Sequence, residues 1–160
     1  MIIIGYQGIG KSTVAGRNSI IDLESSNFYD GGKRPDNWAV YYANIAKALS
    51  KQGYIVFISS HKEVRDQLKD CGESIYVIYP TLDLKNYWIE KLRVRFEFTK
   101  LEKDYRAWQN ADQNYIENIR DLMNSGYRYF AIEDIGYRLA DIVDYLVAFD
   151  LEWNNRNFKK

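Results

Sequence analysis

The stretch Gly5-Tyr6-Gln7-Gly8-Ile9-Gly10-Lys11-Ser12-Thr13 decides the fold expected for this chain of 160 residues. It fits the pattern G-x-x-x-x-G-K-[ST], the P-loop that binds nucleotide phosphates. The run Ile2-Ile3-Ile4 before it is typical of a buried parallel strand, and the residues from Lys11 onward can open a helix. A glycine loop between a strand and a helix is the context in which this pattern indicates phosphate binding.

The residue types in this loop have a chemical reason. A side chain at Gly8 or Gly10 would obstruct the approach of an anion to the backbone N–H groups of the loop. Lys11 would reach the β- and γ-phosphates, and the Ser12 hydroxyl would hold Mg²⁺. The alternative, a glycine turn followed by a surface lysine, is disfavoured by the apolar strand upstream. We expect six residues to bind the nucleotide: Gly8, Ile9, Gly10, Lys11, Ser12 and Thr13.

Composition excludes several classes of function. The 22 basic and 22 acidic residues cancel, which gives no bulk electrostatic reason for tight binding to DNA or membranes. A single cysteine, Cys71, excludes an intrachain disulfide framework and a cysteine-based zinc site. The chain starts with Met1 and a core strand, and no apolar run approaches the roughly 20 residues of a membrane span. We therefore expect a soluble, cytoplasmic protein without a signal peptide.

Strand-like and helix-like segments alternate along the chain, which predicts one α/β domain over residues 1–160 with a parallel sheet. The predicted strands are Ile2–Gly5, Ser19–Asp22, Tyr54–Ser59, Ser74–Tyr79 and Tyr129–Ile132. The predicted helices are a short one before Gly16, one from Pro35-Asp36 to Gly53, one over 61–69, one from Asp83, one over 105–123 and a short one over 139–143.

Two carboxylates, Asp22 and Glu24, follow the second predicted strand. Alternation puts them on the same side, at the carboxyl end of a strand, where open parallel sheets bind ligands. Near Lys11 and Mg²⁺, one carboxylate would hold the metal or accept a hydroxyl proton, and the other would bind substrate. We assign Asp22 as catalytic residue and metal ligand and Glu24 as substrate contact. The alternative is a solvated strand end with Asp22 or Ser25 as a cap.

Four further residues are candidates for substrate binding: Lys33, Arg34, His61 and Arg65. Lys33 and Arg34 end a polar loop and would hold a substrate phosphate, unless the loop is a solvated turn. His61 and Arg65 follow the third strand, where the alternative is a helix cap or a surface site. The Walker-B carboxylate that many P-loop proteins carry near this strand is absent, which disfavours a motor or switch ATPase.

The helix that starts near Asp83 carries Lys91 and Arg95 beside its apolar stripe, whereas Arg93 projects from the opposite face. Lys91 is therefore expected to contact substrate, and Arg95 to act on the transferred phosphoryl group, because phosphoryl transfer needs fixed cations. A solvated helix face is the alternative for these bases. Residues 98–106 break the helical pattern and are expected to form a mobile lid.

The motifs described above resemble the small P-loop kinases, which include nucleoside monophosphate kinases, shikimate kinases and gluconate kinases. The segment 58–61 with Arg65, followed by a strand that ends at 78–80, is similar to gluconate kinases. The segments 21–26 and 33–36 resemble phage and prophage proteins labelled nucleoside or nucleotide kinases. The resemblance implies ATP and Mg²⁺ and a three-layer fold with a five-stranded parallel sheet. It also implies a helical lid at roughly 93–107, with Arg95 as the lid arginine. The short first helix and the missing D-G-x-P-R motif depart from adenylate kinases.

This resemblance favours a phage-type (deoxy)nucleoside monophosphate kinase, which would act in the host cytoplasm. A second hypothesis is transfer to a hydroxyl group of a nucleoside, a sugar acid or a modified base in DNA, although the net charge disfavours a DNA acceptor. A third is a nucleotide-binding regulator that performs no transfer. The expected partners are thus a nucleotide donor and a small acceptor, and the sequence leaves the oligomeric state open.

Overall fold

The fold is an α/β arrangement around an all-parallel sheet, as the alternating segments predict. The computed structural model describes residues 1–17, 19–29 and 33–157. Within these residues the sheet has five strands in the order β2-β3-β1-β4-β5. The strands are β1 (Ile2–Gly5), β2 (Ile20–Asp22), β3 (Ile55–Ser59), β4 (Ile75–Pro80) and β5 (Arg128–Ile132). All five predicted strands are confirmed to within one residue at each end.

Strand β1 lies at the centre of the sheet, between β3 and β4. Its run of three isoleucines is fully buried, which agrees with a strand covered on both faces. Gly5 at its end lies beside Ser59 of β3, so the loops after β1 and β3 leave the same edge of the sheet. The connection from β1 leads to β2, at one edge of the sheet, and the connection from β3 leads to β4, on the opposite side of β1. The direction of the connections therefore reverses between these strand ends, which is the position where open parallel sheets bind ligands.

Helices cover both faces of the sheet. They are α1 (Lys11–Val14), α2 (Trp38–Lys51), α3 (Lys62–Asp66), α4 (Lys85–Thr99), α5 (Glu102–Met123) and α6 (Leu139–Asn157), with 3₁₀ turns at Ser25–Phe28 and Leu82–Leu84. Right-handed crossovers put α2, α3 and α5 on one face. Helices α1 and α6 pack against each other and cover the opposite face.

The segment between α4 and α5 differs from its prediction. Residues 98–106 were expected to break the helical pattern, but α4 continues to Thr99 and α5 starts at Glu102. Lys100, in the left-handed conformation with φ 55°, ends α4, and Leu101 is the N-cap residue of α5. Glycine is the residue that usually marks a left-handed helix end, and here the position is occupied by a lysine. The two-residue turn could therefore not be predicted from the sequence.

Two helix lengths were also predicted incorrectly. Helix α3 is shorter than 61–69 because the chain turns after Asp66, and Asp70 adopts a φ of 58° before β4. Helix α6 continues well beyond Val143. Its second half is held by stacked aromatic rings four residues apart, which join Tyr145, Phe149 and Trp153. Among the helices in the described ranges, none is both long and apolar enough to cross a lipid bilayer.

Candidate functional site

The loop after β1 has the backbone conformation that its glycines allow. Gly8 and Gly10 have φ angles of 83° and 93°, which L-residues with side chains rarely adopt. A Cβ atom at Gly8 would lie 3.0 Å from Leu92 Cδ2 and 3.1 Å from Trp88 Nε1, so α4 packs directly on the loop. Glycine is thus required at position 8 by close packing as well as by conformation.

Side chains hold the loop through its carbonyl groups. Trp88 Nε1 of α4 donates a hydrogen bond to the Gln7 carbonyl at 2.8 Å. The hydroxyl of Tyr137, which precedes α6, donates to the Ile9 carbonyl at 3.0 Å. In contrast, the backbone N–H groups of Gly8, Gly10 and Lys11 donate to no other residue in the described part of the chain. The loop therefore keeps these donors free for an anion, while the carbonyl groups of Gln7 and Ile9 are occupied.

Thr13 and Ile9 shape the loop. Thr13 donates its hydroxyl to the Gly10 carbonyl at 2.7 Å and its N–H to the same carbonyl at 2.9 Å. Ile9 is buried, and a Cβ atom at Gly5 would lie only 2.6 Å from its Cδ1. The structure thus gives both residues a role in loop shape, whereas the free N–H groups and Lys11 are available to a nucleotide.

Lys11 and Asp22 form a buried pair next to this loop. Lys11 Nζ lies 4.0 Å from Asp22 Oδ1, and the two side chains are 16% and 9% exposed. This separation exceeds hydrogen-bond distance, and Asp22 Oδ1 is buried without a hydrogen-bond partner. Burial lowers the pKa of Lys11 and raises the pKa of Asp22, and the attraction between the two charges opposes both shifts. A buried carboxylate oxygen is thus left for a further ligand.

The available side chains fit a Mg²⁺ ion that arrives with phosphates. No group of three or more His, Cys, Asp or Glu side chains in the described ranges could hold a metal by itself. Mg²⁺ keeps several waters and is usually bound by one or two carboxylates together with substrate phosphates. The exposed Ser12 and the unpartnered oxygen of Asp22 agree with that kind of site.

Glu24 connects the segment after β2 to helix α5. Its Oε2 accepts a hydrogen bond from Ser26 Oγ at 2.9 Å and lies 3.7 Å from Lys103 Nζ. Glu24 lies close enough to Lys11 to affect the pKa of the lysine. The two carboxylates are therefore brought together with Lys11, as the sequence predicts.

Arg34 and His61 also meet, but they bind each other. Arg34 Nη1 lies 3.0 Å from His61 Nε2, and Arg34 Nη2 donates to Ser25 Oγ at 3.1 Å. The guanidinium carbon lies over the rings of Tyr29 and Trp38, at 4.6 and 3.9 Å from their centroids. The two terminal nitrogens of Arg34 are thus occupied, whereas its buried Nε has no hydrogen-bond partner. The expected substrate phosphate would have to displace His61 or Ser25 to reach the terminal nitrogens. Lys33 beside it is exposed.

The protonation state of His61 follows from these contacts. Arg34 can only donate, so His61 Nε2 accepts, and the proton on Nδ1 is directed to Ser59 Oγ at 2.8 Å. Burial and, secondarily, the Arg34 charge lower the His61 pKa to about 4. His61 is therefore neutral near pH 7.

The structure does not bring Arg65 to this site. Its side chain is buried and forms an ion pair with Asp121, near the end of α5. The Tyr127 hydroxyl, just before β5, donates to the Arg65 carbonyl at 2.7 Å. Arg65 thus holds α3 against α5, and we do not retain it as a substrate contact. Sequence reasoning had no signal for this partner, which is 56 residues away.

Helix α4 supplies two cations to the site. Lys91 donates to the Tyr137 hydroxyl at 3.1 Å and lies over the Trp88 ring, and Arg95 forms an ion pair with Asp104 at 2.6 Å. The positive charge of Arg95 contributes, after burial, to the lowered pKa values of Lys11 and Lys91. These three cations therefore converge. Arg93 instead pairs with Glu90 and Glu97 on its own helix, as predicted for the outer face.

Sequence reasoning missed three residues of this site: Trp88, Asp104 and Tyr137. In the sequence, Trp88 belongs to the apolar stripe of α4. Buried Trp and Tyr side chains normally hydrogen-bond through their polar atoms, and that rule is the one signal that could have identified two of the three. Asp104 gave no signal, because its burial depends on the α4–α5 turn.

No protein-family model matches this chain, and no curated protein matches it.

Proposed function

We propose that the protein is an ATP- and Mg²⁺-dependent phosphotransferase of the P-loop kinase type. The observation that carries this proposal is the buried Oδ1 of Asp22, which has no hydrogen-bond partner and lies 4.0 Å from Lys11 Nζ. An unsatisfied buried carboxylate is costly and often marks a functional site. Here it is next to a glycine loop with free N–H groups, which is the arrangement that binds a nucleotide phosphate.

The residues divide the work of transfer. The loop N–H groups and Lys11 bind the donor phosphates, and Ser12 with Asp22 would hold Mg²⁺. Mg²⁺, when bound, supplies charge neutralisation between the β- and γ-phosphates. Lys91 and Arg95 face the same region and stabilise the negative charge on the migrating group. Catalysis of this kind depends on positioning and electrostatics, which agrees with a site built from held cations.

A (deoxy)nucleoside monophosphate is the acceptor that we propose first. Such an acceptor has an anionic phosphate and a planar base. The residues around Arg34 and Lys103 offer cationic groups for the phosphate and an aromatic ring for the base. Lys33 and Lys103 provide exposed ammonium groups. Tyr29 presents a partly exposed ring, and the guanidinium carbons of Arg34 and Arg106 each lie 4.6 Å from its centroid.

A hydroxyl acceptor is the second candidate, and Asp22 is the observation that favours it. Transfer to a hydroxyl needs a base, whereas transfer to a phosphate does not. Burial raises the pKa of Asp22, which makes the carboxylate a stronger base than an exposed aspartate. Its free Oδ1 is able to accept the hydroxyl proton.

Transfer of labelled γ-phosphate from ATP to a panel of acceptors tests the function and separates the two candidates. The panel contains the (d)NMPs, nucleosides, sugar acids and single- and double-stranded DNA. We expect turnover with at least one acceptor, lost in Lys11→Ala. Asp22→Asn should abolish transfer to a hydroxyl but reduce transfer to a phosphate less strongly.

A wild-type protein that binds ATP but transfers to no member of the panel would contradict the proposal and support the regulator hypothesis. Lys47→Ala is the matched control. Lys47 lies on α2 with no ion pair to any described residue, and its substitution should leave turnover unchanged.

A further inference from the structure

Asp104 is a buried carboxylate outside the set of residues so far given a chemical role. It lies in the first turn of α5 and is only 3% exposed. A buried charge is stable only when its partners compensate the loss of water. The partners of the Asp104 carboxylate therefore indicate its role.

Both carboxylate oxygens of Asp104 are satisfied from helix α4. Oδ1 lies 2.6 Å from Arg95 Nη2, and Oδ2 accepts a hydrogen bond from Thr99 Oγ1 at 2.6 Å. Thr99 Oγ1 also accepts from the Leu101 N–H at 3.3 Å, so the same network fixes the two-residue turn between the helices. Asp104 is consequently held rigidly and has little freedom to release Arg95.

The Arg95 side chain is held at one end and open at the other. It is 41% exposed, and Asp104 is its sole ion-pair or hydrogen-bond partner among the described residues. A guanidinium carries five N–H donors, so most of them remain available. Its charge also lowers the pKa values of Lys11 and Lys91, so the guanidinium lies near the other cations of the site.

We infer that Asp104 is the positioning residue that aims Arg95 at the γ-phosphate of the bound nucleotide. This inference rests on the proposed nucleotide site. Asp104 touches no substrate and acts through Arg95 alone. Thr99 and the α4–α5 turn keep the carboxylate in place, so the geometry of the arginine is set by the hairpin and not by the P-loop.

A double-mutant cycle of Asp104→Asn and Arg95→Ala tests the inference. Asp104→Asn should lower kcat by about 10²-fold, the effect of a misplacement of about 1 Å, and should raise the KM for ATP by no more than about tenfold, which is the factor lost from the ATP affinity. The double variant should be no slower than Arg95→Ala. Independent effects that multiply in the double variant would overturn the inference. Glu97→Gln, which removes a carboxylate partner of Arg93 on the outer face, is the control and should keep the wild-type rate.

The ratio of ATP to ADP affinity, measured by calorimetry, tests the inference without requiring any turnover. Because Arg95 is aimed at the γ-phosphate, Arg95→Ala, Arg95→Lys and Asp104→Asn should each reduce the preference for ATP by a similar factor, about tenfold. Arg95 is half-exposed, so Arg95→Lys should fold even if Asp104→Asn does not. If the wild type binds ATP without transfer, the proposed function is wrong. The ratio of ATP to ADP affinity still tests whether Asp104 positions Arg95 at the γ-phosphate. A preference for ATP that survives in Arg95→Ala, or in a folded Asp104→Asn, would overturn the inference.

Discussion

Lys103 Nζ lies 3.7 Å from Glu24 Oε2 and links the first turn of α5 to the segment that follows β2. Both side chains are about half exposed. Exposed pairs of this kind contribute about 0–1 kcal/mol. Combining Glu24→Gln with Lys103→Gln should therefore give a coupling below about 1 kcal/mol in the free energy of unfolding, as measured by urea denaturation. A coupling above about 2 kcal/mol would contradict this estimate and make the pair a main support of the fold.

Gly8→Ala should destabilise the protein and weaken nucleotide binding. The new Cβ would meet Leu92 and Trp88 at 3.0–3.1 Å, in addition to the strain of a positive φ. Gly16 is the matched control, since it has a φ of 80° but nothing within 4 Å of an added Cβ. We expect Gly16→Ala to cost about 1 kcal/mol from conformation alone and Gly8→Ala about 1–3 kcal/mol more. Equal losses in urea denaturation would show that packing at Gly8 does not matter.

The pair Arg65–Asp121 predicts an asymmetry in stability. The Asp121 side chain is 43% exposed and would be solvated if Arg65 were removed, whereas removal of the Asp121 carboxylate leaves a buried guanidinium without its charged partner. Asp121→Asn should therefore lower the free energy of unfolding by about 3–5 kcal/mol, and Arg65→Met by less. Neither variant should change the KM for the nucleotide. A large rise in that KM for Arg65→Met would return Arg65 to the list of substrate contacts.

His61 predicts a pH dependence of stability. The unfolded histidine has a pKa near 6.5, while the folded pKa is about 4, so the unfolded state binds more protons between these values. Stability from His61 is fully present above about pH 6.5 and falls as the pH decreases towards 4. The chain has one histidine, so the difference between wild type and His61→Gln isolates this effect. Parallel stability curves for the two proteins between pH 4 and 6.5 would contradict it.

The positions of the strands in the sequence were predictable because a buried parallel strand consists of a short local run of apolar residues. The meeting of Lys11, Asp22 and Glu24 was also predictable, since parallel strands bring their carboxyl ends to one edge. Arg34 and Arg65 show where this reasoning ends. Each guanidinium has partners that are distant in sequence, His61 and Asp121, and no local pattern reports them.

The two hydrogen bonds from Trp88 and Tyr137 to the carbonyl groups of Gln7 and Ile9 have a consequence for ligand binding. A glycine-rich loop is the most flexible kind of backbone, and ordering it around a phosphate normally opposes affinity through lost conformational entropy. Here an indole and a phenol from two other parts of the chain order the loop before any ligand arrives. The entropy of the glycines is thus lost during folding, and the full attraction between the loop and a phosphate remains available as binding free energy.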